Sequence, residues 1–123
     1  MSLSSFEIKE LMECGEQYKE TTIISRVYEN QDNKYLNKIA NKITLESSKV
    51  VLFASKDENK VTMLFAKSKD LENLNMGDML KDCITLVDGK GGGSKLIAQG
   101  AGRNVSNIEN TLEYAIRRVK ESL

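Results

Sequence analysis

Residues 89–103 read GKGGGSKLIAQGAGR, and this stretch holds six of the eight glycines in a chain of 123 residues. Glycine loses more conformational entropy than any other residue when its backbone becomes ordered, so this concentration lowers stability unless it has a use. A short apolar run at residues 96–99 separates two glycine blocks and has the length of a strand. The stretch therefore predicts a short strand between two glycine-rich connections.

Helical patterns flank the stretch on both sides. The preceding helix is expected to begin near Met76 and to stop at residues 88–89, where Gly89 would supply a left-handed cap. In the following helix, Ser106 and Glu109 have the spacing of a capping box. The apolar positions with helical spacing are Met79, Leu80, Cys83, Ile84 and Val87 before the stretch, and Ile108, Leu112, Ala115, Ile116 and Val119 after it.

Further upstream, strand and helix patterns alternate. Residues 21–29 are rich in β-branched side chains and predict a strand, and residues 31–33 form a polar break. Leu36, Ile39, Ala40 and Ile43 then have helical spacing and predict a helix that ends near Glu46. The continuous apolar run at residues 50–54 is typical of a central strand that is covered on both faces. A polar turn and a strand at 61–66 follow, which predicts a hairpin. The expected fold is α/β (α+β), a single small domain with a mixed β-sheet of about four strands packed with helices.

The chain is expected to divide near residue 19. Residues 1–19 are predicted to be an N-terminal helix, the truncated end of a longer helical stalk. Residues 20–123 are predicted to form the globular domain, which is close to the commonest domain size.

The composition excludes most catalytic chemistry. The chain has no histidine, so it offers no imidazole acid or base and no Ser-His-Asp triad. Two cysteines 69 residues apart make a poor zinc site and point to a reduced, intracellular protein. We predict no catalytic residue, no metal and no cofactor in this chain. No signal peptide or membrane helix is expected, and the predicted location is the cytoplasm.

Two interpretations of the glycine stretch remain open from the residues alone. In the first, bare backbone comes close to a ligand, and its N–H groups bind an anion such as phosphate. In the second, the stretch is a flexible loop or a tight crossing that needs left-handed glycines. The first gains support because residues 90–103 carry three cations and no acid. The candidate nucleic-acid-binding residues are Lys90, Gly91, Gly92, Gly93, Ser94, Lys95, Gln99, Gly100, Gly102 and Arg103. Arg117, Arg118 and Lys120 either extend this surface or form a solvated helix face.

The blocks GKGGG at 89–93 and AQGAG at 98–102 resemble the paired glycine blocks of the DHH-associated domain family. The C-terminal domain of alanyl-tRNA synthetases belongs to that family, as do domains beside DHH phosphoesterases. The likeness in sequence covers about 35 residues. Many synthetases have an arginine and a proline where this chain has Ser94 and Lys95.

The resemblance implies RNA contact without catalysis. It suggests the C-terminal domain of an alanyl-tRNA synthetase or an alanyl-tRNA editing protein, which binds tRNA, tRNA-Ala above all, and which aids dimerisation. Another RNA or single-stranded nucleic acid is a further candidate partner. The parent protein would be an alanine–tRNA ligase or an alanyl-tRNA deacylase. The alternative is the substrate-binding domain of a DHH-family phosphoesterase or exonuclease.

Overall fold

A computed structural model describes residues 5–123, with side chains from residue 7 onward. The elements in chain order are α1 (Ser5–Cys14), β1 (Glu16–Tyr18), β2 (Thr21–Glu29), α2 (Asn33–Thr44), β3 (Lys49–Lys56), β4 (Val61–Lys67), α3 (Met76–Ile84), β5 (Lys90–Gly93), β6 (Ile97–Gly102) and α4 (Ile108–Ser122). Short 3₁₀ turns at Thr85–Val87 and Val105–Asn107 follow α3 and precede α4.

The six strands form one mixed sheet in the order β1-β2-β3-β4-β6-β5. Strands β2 and β3 are parallel, and every other neighbouring pair is antiparallel. A parallel pair needs a crossover, and α2 supplies it. The order places β5 at one edge of the sheet.

Helices cover both faces of the sheet. On one face, Leu11 of α1 and Leu36 and Ile39 of α2 belong to a buried cluster that also holds Phe53 and Leu64 of the sheet. On the other face α3 and α4 pack over a separate cluster that includes Phe65. Successive side chains of β3 alternate between the two clusters. This confirms the prediction of a central strand that is buried on both faces.

Side-chain caps fix where two helices begin. Asp32 precedes α2, and its carboxylate accepts the Tyr35 N–H over 2.9 Å. Asn75 precedes α3, and its Oδ1 accepts the Asp78 N–H over 3.1 Å. Each bond satisfies a backbone donor that the first helical turn leaves unpaired.

The structure confirms the fold class and the β3–β4 hairpin, but it corrects the strand count from about four to six. The N-terminal helix ends at Cys14, and residues predicted as its end form β1. The predicted boundary at residue 19 therefore falls between two paired strands of one sheet. Residues 1–4 of the predicted stalk lie outside the described residues.

Two local predictions around the glycine stretch are wrong. The left-handed residue after α3 is Asp88, with φ 56°, rather than Gly89. The predicted capping box at the start of α4 does not form, because Ser106 lies in a 3₁₀ turn and its hydroxyl donates to Asn104. In the described part of the chain, no helix has the length and apolar character needed to cross a bilayer.

Candidate nucleic-acid interface

The glycine stretch folds into the antiparallel hairpin of β5 and β6. The register pairs Gly91 with Gly100 and Gly93 with Ala98. We call residues 90–102 the glycine hairpin. The expectation of an irregular connection at 90–93 is corrected here, since these residues form the edge strand of the sheet.

Close packing of backbone against backbone explains most of the glycines. A Cβ atom on Gly91 would lie 2.5 Å from the Gly100 Cα, and one on Gly93 would lie 2.6 Å from the Ala98 Cα. At Gly89 the obstacle would be the Ala101 carbonyl oxygen at 2.3 Å. Any side chain at these positions would push the strands apart.

None of the eight glycines has a positive φ. The interpretation as a crossing that needs left-handed glycines is therefore wrong. The glycines allow backbone segments of the protein to pack closely against each other. Whether a ligand can bind depends on which surfaces of the hairpin remain exposed.

Most of the candidate residues lie at the surface. Lys90, Gly91, Gly93, Ser94, Lys95, Gln99 and Arg103 are exposed, and Gly92 and Gly100 are partly exposed. Gly102 is buried, and a Cβ there would lie 2.3 Å from the Val87 carbonyl oxygen. Gly102 also lines a groove with Lys90 and Arg103, and its contact with nucleic acid stays a prediction.

The outer edge of β5 offers backbone donors. At the turn end of the hairpin, the Ser94 N–H donates to the Ile97 carbonyl over 2.9 Å. Hydrogen bonding alternates along an antiparallel pair, so in this register Lys90 and Gly92 bond to β6. The N–H groups of Gly91 and Gly93 then point away from β6, and no side chain of their own shields them. On this side the Gly93 carbonyl lies against the Gly77 backbone of α3. Such an edge can donate to an anion.

Ser94 and Gln99 are engaged within the protein. The Ser94 Oγ accepts the N–H groups of Leu96 and Ile97, each over 3.2 Å, and thereby shapes the turn. The Gln99 Oε1 accepts from the Asn37 Nδ2 over 3.3 Å. Both side chains are exposed. In this structure the Ser94 hydroxyl stabilises the turn of the hairpin, and the Gln99 amide bonds the hairpin to α2.

The first turn of α3 anchors the tip of the hairpin. The Gly77 N–H donates to the Ser94 carbonyl over 2.8 Å, and the Met76 N–H donates to the Lys95 carbonyl over 3.0 Å. A Cβ on Gly77 would lie 2.7 Å from the Gly93 carbonyl oxygen, so this contact also requires glycine. These backbone hydrogen bonds therefore fix the position of the hairpin tip relative to α3.

The three predicted cations fall into two groups. Lys90 and Arg103 line one groove of about 890 Å³ together with Lys60 and Asp88. We call it the Arg103 groove. Lys95 lies at the turn, roughly 15 Å away along the strand. The stretch therefore presents charge at both ends of β5 rather than one cluster.

Sequence reasoning missed two cations of this surface. Lys60 reaches the Arg103 groove because β4 pairs with β6 and Val61 lies opposite Gly102. Lys81 of α3 lies beside β5, where its Cε would be 3.2 Å from a Cβ on Gly92. Only the strand order could have revealed Lys60, since 43 positions of sequence separate it from Arg103.

The cations of α4 have partners on other elements. Arg118 forms an ion pair with Asp82, which also accepts the Tyr114 hydroxyl over 2.8 Å. Lys120 forms an ion pair with Glu16 of β1. Hydrogen bonding to Tyr114, together with the charge of Asp82, raises the pKa of Arg118. These residues tie α4 to α3 and β1, and only Arg117 of the three is fully exposed.

Metal ligands and thiols are the reactive groups that this part of the chain could offer. Among residues 7–123, no three Cys, Asp or Glu side chains lie close enough together to hold a metal ion. Cys14 is exposed and Cys83 is buried, and neither is bonded. Burial raises the pKa of the Cys83 thiol to about 12, so this sulfur is a poor nucleophile.

Comparisons with known proteins identify relatives over nearly the whole fold. A family model described as the DHHA1 domain matches residues 19–121. An alanine–tRNA ligase from Leptospira biflexa is 27% identical over 116 residues, which cover 92% of this chain and 13% of the ligase. The chain thus spans about an eighth of the length of the curated relative that it matches.

Solved structures share the architecture. The C-Ala domain of the Aquifex aeolicus alanyl-tRNA synthetase superposes with a TM-score of 0.74 at 23% identity, covering 89% of this chain and 96% of that domain. A pGpG-specific phosphodiesterase from Vibrio cholerae superposes with a TM-score of 0.54 at 10% identity, covering 96% of this chain and 39% of the enzyme. At these identities the likeness concerns the fold.

Proposed function

The chain belongs to the DHHA1 domain family, and from this premise we propose that it is a non-catalytic tRNA-binding module of a longer protein. The parent would be an alanine–tRNA ligase or an alanyl-tRNA deacylase of the cytoplasm, and tRNA-Ala the preferred RNA. The observation that carries the proposal is the edge strand β5, which has bare glycine backbone between cations at both ends. The alanine–tRNA ligase relative and the C-Ala fold support the choice of RNA.

The proposed contact is with the RNA backbone. Phosphate oxygens would accept the N–H groups of Gly91 and Gly93, while Lys90 and Lys95 supply charge at the two ends of the strand. Phosphate contacts provide affinity without sequence information, and the folded shape of a tRNA would provide selectivity. A rigid hairpin suits this role because it loses little freedom when it binds.

Few phosphates can reach such a short edge, so the isolated chain is expected to bind weakly. Non-specific nucleic-acid affinities are typically on the order of micromolar or weaker at physiological salt. In the parent protein the module would raise the effective concentration of tRNA near a tethered catalytic domain.

The test is tRNA binding by the Lys90→Ala, Lys95→Ala double variant, measured by fluorescence anisotropy at several salt concentrations. The double variant should bind more weakly, and the slope of log affinity against log salt should fall by about 0.7 to 0.9 per lysine removed. The control variant Lys9→Ala, Lys34→Ala removes two exposed lysines of α1 and α2 and should keep the slope of the parent chain. Binding by the Lys90, Lys95 variant that equals the parent chain would refute the hairpin contact.

A second candidate is the substrate-binding domain of a DHH-family phosphoesterase. Its support is the shared fold with the pGpG-specific phosphodiesterase, which extends over 96% of this chain. This candidate predicts that a dinucleotide such as pGpG binds to the chain at least as tightly as tRNA. Calorimetric titration with both ligands separates the two candidates.

Dimer formation is a further part of the proposal. The family resemblance supports it, and sedimentation equilibrium at several protein concentrations, with and without tRNA, provides the measurement. A mass that stays monomeric at high concentration would refute self-association of this chain.

A further inference from the structure

A second groove lies beside the tip of the glycine hairpin, between the end of α2 and the adjoining ends of β4 and β6. It has a volume of about 350 Å³ and is lined by Leu45, Leu96, Ile97, Lys42, Lys67 and Lys69, among others. We call it the tip groove.

Part of the lining of the tip groove is aliphatic. Leu45 is 85% exposed at the end of α2, and Leu96 is 38% exposed in the turn of the hairpin. Single exposed leucines are common on protein surfaces. Here two leucines line one groove together with the partly exposed Ile97, and covering this apolar surface lowers the free energy.

The rest of the lining combines three lysines with Asn41, Thr44 and Ala66. Lys42, Lys67 and Lys69 line the tip groove, and no acidic side chain does so among the described residues. Within residues 7–123 neither Lys42 nor Lys69 forms an ion pair. Two exposed cations thus remain available to an anion.

Lys67 plays a different role at the bottom of the groove. Its side chain is largely buried, and its Nζ donates to the Leu71 carbonyl over 2.5 Å. The backbone N–H of Lys67 donates to the Leu96 carbonyl over 3.0 Å, and this bond joins the end of β4 to the turn of the hairpin. Burial lowers the pKa of Lys67, and the nearby Lys95 acts in the same direction. An anion in the groove would oppose both effects.

Charge excludes a second copy of this surface as the occupant, because lysines would face lysines. An occupant must combine an apolar face with negative charge. The groove is continuous with the hairpin tip, since Leu96 belongs to both and Lys95 adjoins it. A polyanion that lies along β5 would therefore reach the tip groove next.

We propose that the tip groove takes one unpaired nucleotide of the RNA that the glycine hairpin binds. The base would pack on Leu45 and Leu96, and the flanking phosphates would meet Lys42 and Lys69. This inference rests on the proposed function and adds a preference for single-stranded or looped segments, in which a base is free to leave the stack.

The test compares two variants of the full chain with the parent on a fluorescein-labelled single-stranded RNA and on the same RNA as a blunt duplex. Leu45→Ser should weaken single-strand binding by about threefold to tenfold, as the loss of a packing surface for a base does. It should leave the salt slope and the duplex affinity unchanged. Lys42→Ala, Lys69→Ala should lower the single-strand salt slope by about 0.7 per lysine.

Matched controls are Leu86→Ser, which removes another exposed leucine, and Lys9→Ala, Lys34→Ala. Both should bind single-stranded RNA as the parent chain does. Thermal melts followed by circular dichroism show whether a variant binds weakly because it is less stable. Leu45 is so exposed that its replacement should leave the melting temperature unchanged.

The outcomes separate this inference from the proposed function. If the Leu45 and Lys42, Lys69 variants bind both RNAs as the parent does, while the Lys90, Lys95 variant is weakened, the tip groove is not an RNA site and the hairpin contact stands. If the parent chain binds neither tRNA nor single strands, both proposals fail. If Leu45→Ser weakens the duplex as much as the single strand, the groove does not select an unpaired base and the inference is overturned.

Discussion

Gly91 and Gly100 face each other across β5 and β6 so closely that a Cβ atom on Gly91 would lie 2.5 Å from the Gly100 Cα. The obstacle is backbone on both strands, so no side-chain rotation can relieve it. This pair shows that the glycine hairpin owes its composition to internal packing first. The bare outer edge that RNA is proposed to use is a consequence of that packing.

The Gly91→Ala variant should therefore be less stable than the parent chain. Forcing a methyl group into close-packed backbone typically costs about 1–3 kcal/mol of unfolding free energy. Urea unfolding followed by circular dichroism provides the measurement. A change below about 0.5 kcal/mol would contradict the packing argument.

Gly92→Ala is the matched control at the next position. A Cβ there would meet only the flexible side chain of Lys81, with its Cε at 3.2 Å and its Cγ at 3.9 Å. Gly92 has no positive φ, so alanine fits the backbone and reduces the entropy of the unfolded chain. We expect stability equal to the parent or higher by about 0.5 kcal/mol.

Periodicity predicted the parts of this fold that are governed by local patterns. The buried stripe of α2, Leu36, Ile39, Ala40 and Ile43, follows directly from the spacing of apolar residues. The position of the candidate site also followed from the sequence, because glycines and cations coincide there. The three-residue strand β1 was missed because its residues, Glu16 to Tyr18, carry no apolar alternation and owe their pairing to β2.

Local sequence patterns do not predict which residues from distant parts of the chain come together. Lys60 lines the Arg103 groove because β4 pairs with β6. Leu45 and Leu96 line one groove only in the assembled sheet. Because glycine disfavours strands, the glycine stretch predicts an irregular connection from local patterns alone. Tertiary packing overrides that preference here, since only glycine lets β5 approach β6 so closely.

The two cysteines should differ sharply in reactivity. Cys14 is exposed on α1, whereas Cys83 is buried between α3 and the sheet, where burial raises its thiol pKa to about 12. A thiol-modifying reagent, which reacts with the thiolate form, should at pH 8 modify one thiol per chain quickly and the second only after denaturant is added. Cys14→Ser should abolish the fast phase. Two fast thiols in the native parent chain would show that Cys83 is accessible.

Tyr28→Phe should stabilise the protein, most of all in alkali. The Tyr28 hydroxyl is buried without a hydrogen-bond partner among the described residues, and its ring packs edge-on against Phe53 at 5.3 Å between centroids. Phenylalanine keeps the ring contact and removes an unsatisfied polar group, which is worth about 1 kcal/mol.

The pH dependence of that effect has a definite sign. Burial raises the pKa of Tyr28 from 10.0 to about 12. The unfolded chain therefore loses the proton first, and unfolding becomes easier as the pH rises from 10 toward 12. Thermal melts between pH 8 and 11 should fall less steeply for Tyr28→Phe than for the parent. Parallel pH profiles would contradict a buried, neutral hydroxyl.

Lys60 and Lys56 provide the sharpest check of the Arg103 groove. Both lie near the β3–β4 turn, but Lys60 lines the groove with Lys90 and Arg103, whereas the Lys56 Nζ lies 3.9 Å from a Glu29 carboxylate oxygen. Lys60→Ala should lower the salt slope of tRNA binding by about 0.7 to 0.9, as expected for the loss of one phosphate contact.

Lys56→Ala removes the same charge a short distance away and should leave that slope unchanged. Both substitutions lower the net charge of the chain by one, so a long-range effect of charge would weaken tRNA binding equally in the two variants. A specific contact weakens binding in one variant alone. Anisotropy titrations between 50 and 200 mM salt, a range in which phosphate contacts dominate the change in affinity, distinguish the two cases. Equal slopes for Lys60→Ala and Lys56→Ala would remove the Arg103 groove from the RNA-binding surface and leave only the edge of β5 and its turn.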